Sequence, residues 1–297
     1  MTDPAATDPT PYYQLTPSAV IDAVESTGRL SDSRILALNS YENRVYQVGI
    51  EDQSPVIAKF YRPGRWSDEQ IIEDHQFSQE LLDKEIPVVA PLKNDDGQTL
   101  FVDGPFRFCL YPRVGGHAPE LDNLDTIYRL GQFMGRIHAV GKTKSFQHRA
   151  TFSIEHMIGN NAELIAKDFM PAELLPAYSS LIDDILPKLQ EIWSTLDSNS
   201  YIRLHGDCHG GNILWRDESP TFVDFDDAMS GPAIQDLWMF LSGDRNNQLA
   251  QLAELAEGYD MFSSFPAKQL PLIETLRTMR IIYHSAWLAR RWQDPAF

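Results

Sequence analysis

The chain has 297 residues, 43% hydrophobic and 23% charged, with a formal net charge of −17. That length suffices for one large core or two modest ones in an ordinary globular protein. No run of 18 or more apolar residues occurs, which excludes a helical membrane span, and so acidic a surface repels phosphate backbones, which excludes nucleic acid as a partner. Two cysteines, Cys109 and Cys208, are too few for a disulfide framework and fit a reducing compartment.

The N-terminal stretch MTDPAATDPTPYYQL has neither a basic region nor an apolar core. It reads as a short disordered start rather than a secretion signal, within a lead segment assigned to residues 1–24. Arg44 to Ile50 alternates apolar and polar residues, Glu51 to Pro55 is a turn, and Val56 to Tyr61 is a second strand, so the pattern predicts a hairpin. A helix follows with Ser67 as N-cap and Asp68 and Glu69 in its first turn. It runs through Ile72, His75, Phe77 and Leu81 before Pro87 ends the local pattern. A further hairpin is expected from Leu92 to Leu110. After Gly115-Gly116 the pattern becomes helical: Leu124, Ile127, Leu130, Met134 and Ile137 recur every three or four residues. Another helix fills roughly 172–196, and helices resume from Ile234. The chain therefore reads as an α+β protein with a β-rich N-lobe over 25–113 and a mainly helical C-lobe over 114–297.

The segment Leu204-His205-Gly206-Asp207-Cys208-His209-Gly210-Gly211-Asn212 places an Asp and an Asn five residues apart before a strand. A turn near 216–220 and a second strand, Thr221 to Val223, end in Asp224-Phe225-Asp226. Phosphoryl transfer asks for this set: one carboxylate to orient a hydroxyl and accept its proton, and an amide oxygen with a second carboxylate to hold Mg²⁺ against nucleotide phosphates. A hairpin beginning beside one carboxylate and ending at the other brings Asp207, Asn212 and Asp224 together.

HGDxHxxN followed by a strand and DxD resembles the catalytic loop and metal motif of the aminoglycoside phosphotransferase and choline kinase superfamily. The strings LNSYENRVYQV, KFYRPGRW, LHGDCHGGNILWRD and FVDFDDAMSGPAIQDLWMFL resemble the bacterial stress response kinase A family over nearly the whole chain. The resemblance implies a two-lobed protein-kinase-like fold, with Asp207 as catalytic base, Asn212 and Asp224 as Mg²⁺ ligands and Ser40 at the nucleotide. It also implies ATP as co-substrate, Ser/Thr of proteins as acceptor, and work in the cytoplasm under stress; a monomer is expected. Lys59, at the end of an apolar strand, is expected on the α- and β-phosphates, with Glu73 as its helix carboxylate and Asp74 as the other candidate. The segment Asn39 to Asn43 stands where protein kinases carry a glycine-rich loop yet has no glycine. Phe108 to Val114 is expected as the hinge that meets adenine. Eleven residues separate Asp224 from Asp236, too few for a long activation segment. Asp236 has two readings, a brace for the catalytic loop or a plain helix-start carboxylate.

Other patterns carry less. His205, Asp207, Cys208 and His209 are metal-binding types, but Asp, Asn and Asp favour a hard, oxygen-seeking ion over zinc. GRIHAVGKT at 135–143 has one residue too many for a phosphate loop and follows a helix. Tyr283, Trp287, Arg290, Arg291 and Trp292 recur at helical spacing and read as packing with a solvated edge. The rival to a protein acceptor is an amino alcohol, aminoglycoside or sugar hydroxyl. An acidic wall at the acceptor would favour small cations, whereas an open groove would favour a peptide. A third reading, a nucleotide-binding regulator without catalysis, conflicts with the presence of Lys59, Asp207, Asn212 and Asp224 together.

Overall fold

The computed structural model describes residues 12–294, and the chain divides into two compact units. Among the described residues the first runs up to Gly116 and takes in Thr221–Asp226 with Gln293 and Asp294. It holds α1 (Pro17–Glu25), β1 (Ser31–Leu38), β2 (Arg44–Ile50), β3 (Val56–Phe60), α2 (Asp68–Asp83), β4 (Phe101–Asp103) and β5 (Phe106–Pro112). The strands make one antiparallel sheet in the order β1-β2-β3-β5-β4. Because strand side chains alternate, Val48, Ala58, Phe60, Phe108 and Leu110 share one face and pack with Val20 and Val24 of α1. The opposite face carries Tyr61 and Cys109 against Ile71 of α2. Lys59, paired with Cys109 across β3 and β5, belongs to this second face.

The expected hairpin is β2–β3, with Arg44 opposite Phe60 and Val48 opposite Val56. α2 begins at Ser67 with a complete capping box, Ser67 to the Gln70 N–H and the Gln70 side chain back to the Ser67 N–H, which satisfies two otherwise orphaned donors. Of the residues the pattern runs through, His75, Phe77 and Leu81 are buried and Ile72 is exposed. Ile71, Asp74 and Ser78 complete the inward side, and the sheet, not the apolar count, sets Ile71 rather than Ile72 inward.

Two further expectations change. The disordered start fails from Tyr12 onward: Tyr12 and Leu15 are buried in the α1 core and Thr16 caps α1 by accepting from Ala19 N–H; residues 1–11 lie outside the described residues. The second hairpin is shorter than the stretch from Leu92, since the Asn94 side chain accepts from the backbone N–H of Asp96 and Gln98 and competes with strand pairing.

The second unit holds α3 (Leu124–Gly141), α4 (Ile154–Met157), α5 (Gly159–Leu164), α6 (Leu175–Trp193), β6 (Ile202–Leu204), β7 (Ile213–Arg216), the start of β8 (Ser219–Phe222), β9 (Met229–Gly231), α7 (Arg245–Asp260) and α8 (Ile273–Arg290). α3 and α7 approach closely through glycines: a Cβ on Gly131 would stand 2.3 Å from Leu255 O, and one on Gly258 2.1 Å from Tyr128 O. β6 pairs with β9, and β7 with β8 in a hairpin that turns at Asp217 and Glu218, both at positive φ. Among the described residues no helix is long and apolar enough to cross a membrane.

Candidate active site

In the second unit, the fully buried strand β6 delivers the chain to His205, which is itself buried. Gly206 has φ +89°, and a Cβ there would lie 1.9 Å from the carbonyl oxygen of Asp227, so only glycine fits the turn. Asp236, with no exposed surface, accepts from the backbone N–H of His205 at 2.7 Å and of Gly206 at 2.9 Å. The brace reading of Asp236 is therefore the observed one. His138 Nε2 lies 3.2 Å from the same carboxylate, and its Nδ1 is 2.9 Å from Tyr259 OH. The Gln235 side chain donates to Gly206 O at 3.0 Å.

Past this clamp the loop closes on itself. The N–H of His209 and the Asn212 side-chain amide both donate to Asp207 O at 3.0 Å. Asn212 Nδ2 is thus spent on the loop and the other branch of the amide carries its oxygen, which suits a ligand for a hard cation. His209 Nδ1 accepts from Gly211 N–H, and its Nε2 stands 3.6 Å from Asp207 Oδ2. The other oxygen of Asp207 forms an ion pair with Arg280 of α8. Cys208 is buried against Met134, and burial, with the charges of Asp236 and Asp207, pushes its thiol well up; it is no nucleophile at neutral pH.

In the first unit, Lys59 Nζ donates to Asp224 Oδ1 at 2.6 Å and to Asp226 Oδ1 at 2.5 Å. Burial alone would depress the ammonium, but the two carboxylates outweigh it and hold Lys59 protonated. Asp224 has φ +64° and a half-exposed side chain; a left-handed aspartate facing solvent beside a buried lysine is strain of the kind kept at working sites. Asp226 is buried and accepts from Asn43 Nδ2, while Asn43 Oδ1 accepts from Arg62 N–H at 3.2 Å. The segment 39–43 is thereby held without glycine. The Ser40 hydroxyl donates to Leu38 O at 3.3 Å and accepts from Val45 N–H at 3.2 Å. Glu42 pairs with Arg62 at 3.0 Å, and Asp294 with Arg44 and Arg62.

On α2 it is Asp74, 3% exposed, that turns to the sheet, where its charge raises the hydroxyls of Tyr61 and Tyr111 after burial has done so; Glu73 is half-buried. The rings of both tyrosines lie within 6 Å of Lys59 Nζ, at 5.8 and 5.9 Å. The expected hinge begins as strand, since residues up to Pro112 pair with β3.

Sequence reasoning missed Asn43, the double carboxylate on Lys59 and Arg280. Asp226 stood in the DxD pattern and could have been found; Arg280 is 73 residues from Asp207 and no local pattern marks it. Among the described residues no group of three His, Cys, Asp or Glu gathers as a metal site.

Residues 34–270 match the phosphotransferase enzyme family. The chain is 44% identical over 287 residues to stress response kinase A of Escherichia coli O157:H7, covering 96% of this chain and 86% of that one. It is likewise 44% identical over 291 residues to the serine/threonine protein kinase RdoA of Salmonella typhimurium strain LT2, with the same coverage. Among solved structures, the amicoumacin kinase hAmiN, in complex with AMP-PNP, Ca²⁺ and Ami, shares the fold at TM-score 0.76 and 18% identity, over 94% of this chain and 89% of that one. The α+β chain with an antiparallel sheet and a helical C-terminal part has the kinase-like fold. It belongs to the phosphotransferase enzyme family, is similar throughout to the stress response kinases within it, and is a kinase.

Proposed function

We propose that this kinase moves the γ-phosphate of ATP, bound with Mg²⁺, to Ser or Thr hydroxyls of proteins, in the cytoplasm and as part of a stress response. The observation that carries the reading is Lys59, buried and bonded to Asp224 and Asp226. A lysine so placed would exchange a carboxylate for phosphate oxygens without losing its charge pairing, which would leave Asp224 to hold the metal. Asp207 would accept the proton of the acceptor hydroxyl, and Asn212 and Asp224 would be the metal ligands. One amide and one carboxylate leave the remaining positions to phosphate oxygens and water, as a magnesium site prefers. Ser40 would meet the phosphates by exchanging its bonds to the loop backbone. Glu73 would be the α2 carboxylate for Lys59, with the buried Asp74 as the other candidate. The name of the Salmonella relative supports a protein acceptor, and two unpaired, buried cysteines agree with a reducing compartment.

The test is transfer of labelled phosphate from ATP to a generic Ser/Thr protein. Asp207→Ala should lower it by about 10²–10⁴-fold, and EDTA should abolish it until Mg²⁺ is restored. Undiminished transfer in Asp207→Ala would remove the assignment. Label passing only to added amino alcohols would move the acceptor to the small-molecule class.

A further inference from the structure

The ion pair on Asp207 also speaks about the acceptor. Arg280 and Asp207 are both partly exposed, 34% and 26% at the side chain, so an incoming acceptor meets the guanidinium as well as the carboxylate. Arg280 is not alone. Thr275, Leu276, Met279, Ile282 and Ala286 form the buried side of α8, while Arg277, Arg280, His284 and Trp287, spaced by three, four and three, line another face. The Arg277 guanidinium lies 5.6 Å over the Trp238 ring, and His284 stacks on Trp287 at 5.5 Å. Burial, then Arg280, depresses the basicity of His284, so the two arginines carry the charge near neutral pH. Glu274, one turn before, pairs with Arg277 at 2.8 Å but is three-quarters exposed, where such a pair is weak and exchangeable.

Resting on the kinase reading above, we infer that this face of α8 selects the acceptor by charge, and that Arg280 favours a Ser or Thr flanked closely by Asp or Glu in a protein segment. The physical reason is the place of the charge. An alcohol that carries its own ammonium must bring it towards a guanidinium to reach Asp207, which repels it. A carboxylate beside the acceptor hydroxyl instead offers Arg280 a planar, bidentate partner. Since Arg280 is bonded to Asp207 itself, and successive Cα atoms lie about 3.8 Å apart, the favoured acid falls within one or two residues of the acceptor. Arg277 and Arg280, each in a partly exposed pair with one carboxylate, bring guanidinium groups to this face of a chain of net charge −17, unlike the acidic wall that a cationic small molecule would need.

The experiment uses the full chain, ATP and Mg²⁺ with Ser peptides that differ only in Asp or Lys within two residues of the acceptor, beside ethanolamine as the amino alcohol. The Asp peptide should have a kcat/KM about tenfold above the Lys peptide, carried by KM, the size of one charge-assisted contact. Arg280→Glu should invert the order, Arg280→Lys should keep most of it, and Arg277→Glu, which leaves Asp207 untouched, should narrow it even if Arg280→Glu fails to fold. Equal or reversed preference in the parent chain, or an unchanged ratio in both Glu variants, overturns the charge inference while leaving the kinase reading intact. Phosphorylation of ethanolamine and of neither peptide overturns both.

Discussion

Gly206 and Asp236 show how much of the loop from His205 to Asn212 is settled by single residues. With φ +89° and a backbone oxygen 1.9 Å from any added Cβ, Gly206→Ala must move either the loop or the residue 227 backbone. A strained left-handed alanine with a clash of that kind costs about 2–4 kcal/mol, to be read as a lower urea midpoint together with loss of phosphotransfer. Asp236→Asn tests the other half of the clamp. The amide keeps one acceptor oxygen for two N–H donors, so one buried donor loses its partner, at a cost of about 1–3 kcal/mol. The expected kinetic sign is a fall in kcat with little change in KM for ATP, because Asp236 positions the Asp207 loop and lies in the second unit. A change confined to KM for ATP would contradict that assignment.

At the level of elements, α3 and α7 owe their closeness to glycine rather than to large apolar side chains. Gly131 and Gly258 each stand where a methyl group would overlap a carbonyl oxygen of the facing helix. Gly131→Ala and Gly258→Ala should each destabilise by about 1–3 kcal/mol through forced separation, measured as a shift in thermal midpoint, despite the gain in helix propensity that alanine brings. The short stretch after residue 226 behaves differently from an activation loop. It is taken up by β9, which pairs with β6, and by the turn that carries Asp236. Ser230 there sits in a ladder, donating to Ala150 O and accepting from Phe152 N–H. Phosphatase treatment should therefore leave phosphotransfer unchanged; abolished activity would show that a phosphorylated residue is required after all.

Across the whole molecule, the buried titratable groups predict the response to alkali. Burial pushes the Cys109 thiol from its usual 9.0 up to about 12, and raises Cys208, Tyr61 and Tyr111 as well. Each of these groups is held neutral in the folded state beyond the pH at which it ionises in the unfolded chain. The unfolded chain thus binds fewer protons above pH 9.0, and stability, full below that point, declines as pH rises towards the folded values. Urea midpoints taken from about pH 8 to 11 should fall steadily from about pH 9 onward; a flat profile would mean that these side chains reach water in the folded protein. The local elements were legible in the sequence because their causes are local. The β2–β3 hairpin follows from alternation around a turn, and the start of α2 from Ser67, Asp68 and Glu69. The burial of Ile71 rather than Ile72 was not legible, since both are equally apolar and only the sheet chooses between them. Nor were the partners of Lys59, 165 and 167 residues away, or Arg280 on Asp207. Sequence determined the local elements and the family motifs; tertiary structure alone decided which charge each side chain faces, because ion pairing depends on distance in space and that distance is set by the path of the chain between them.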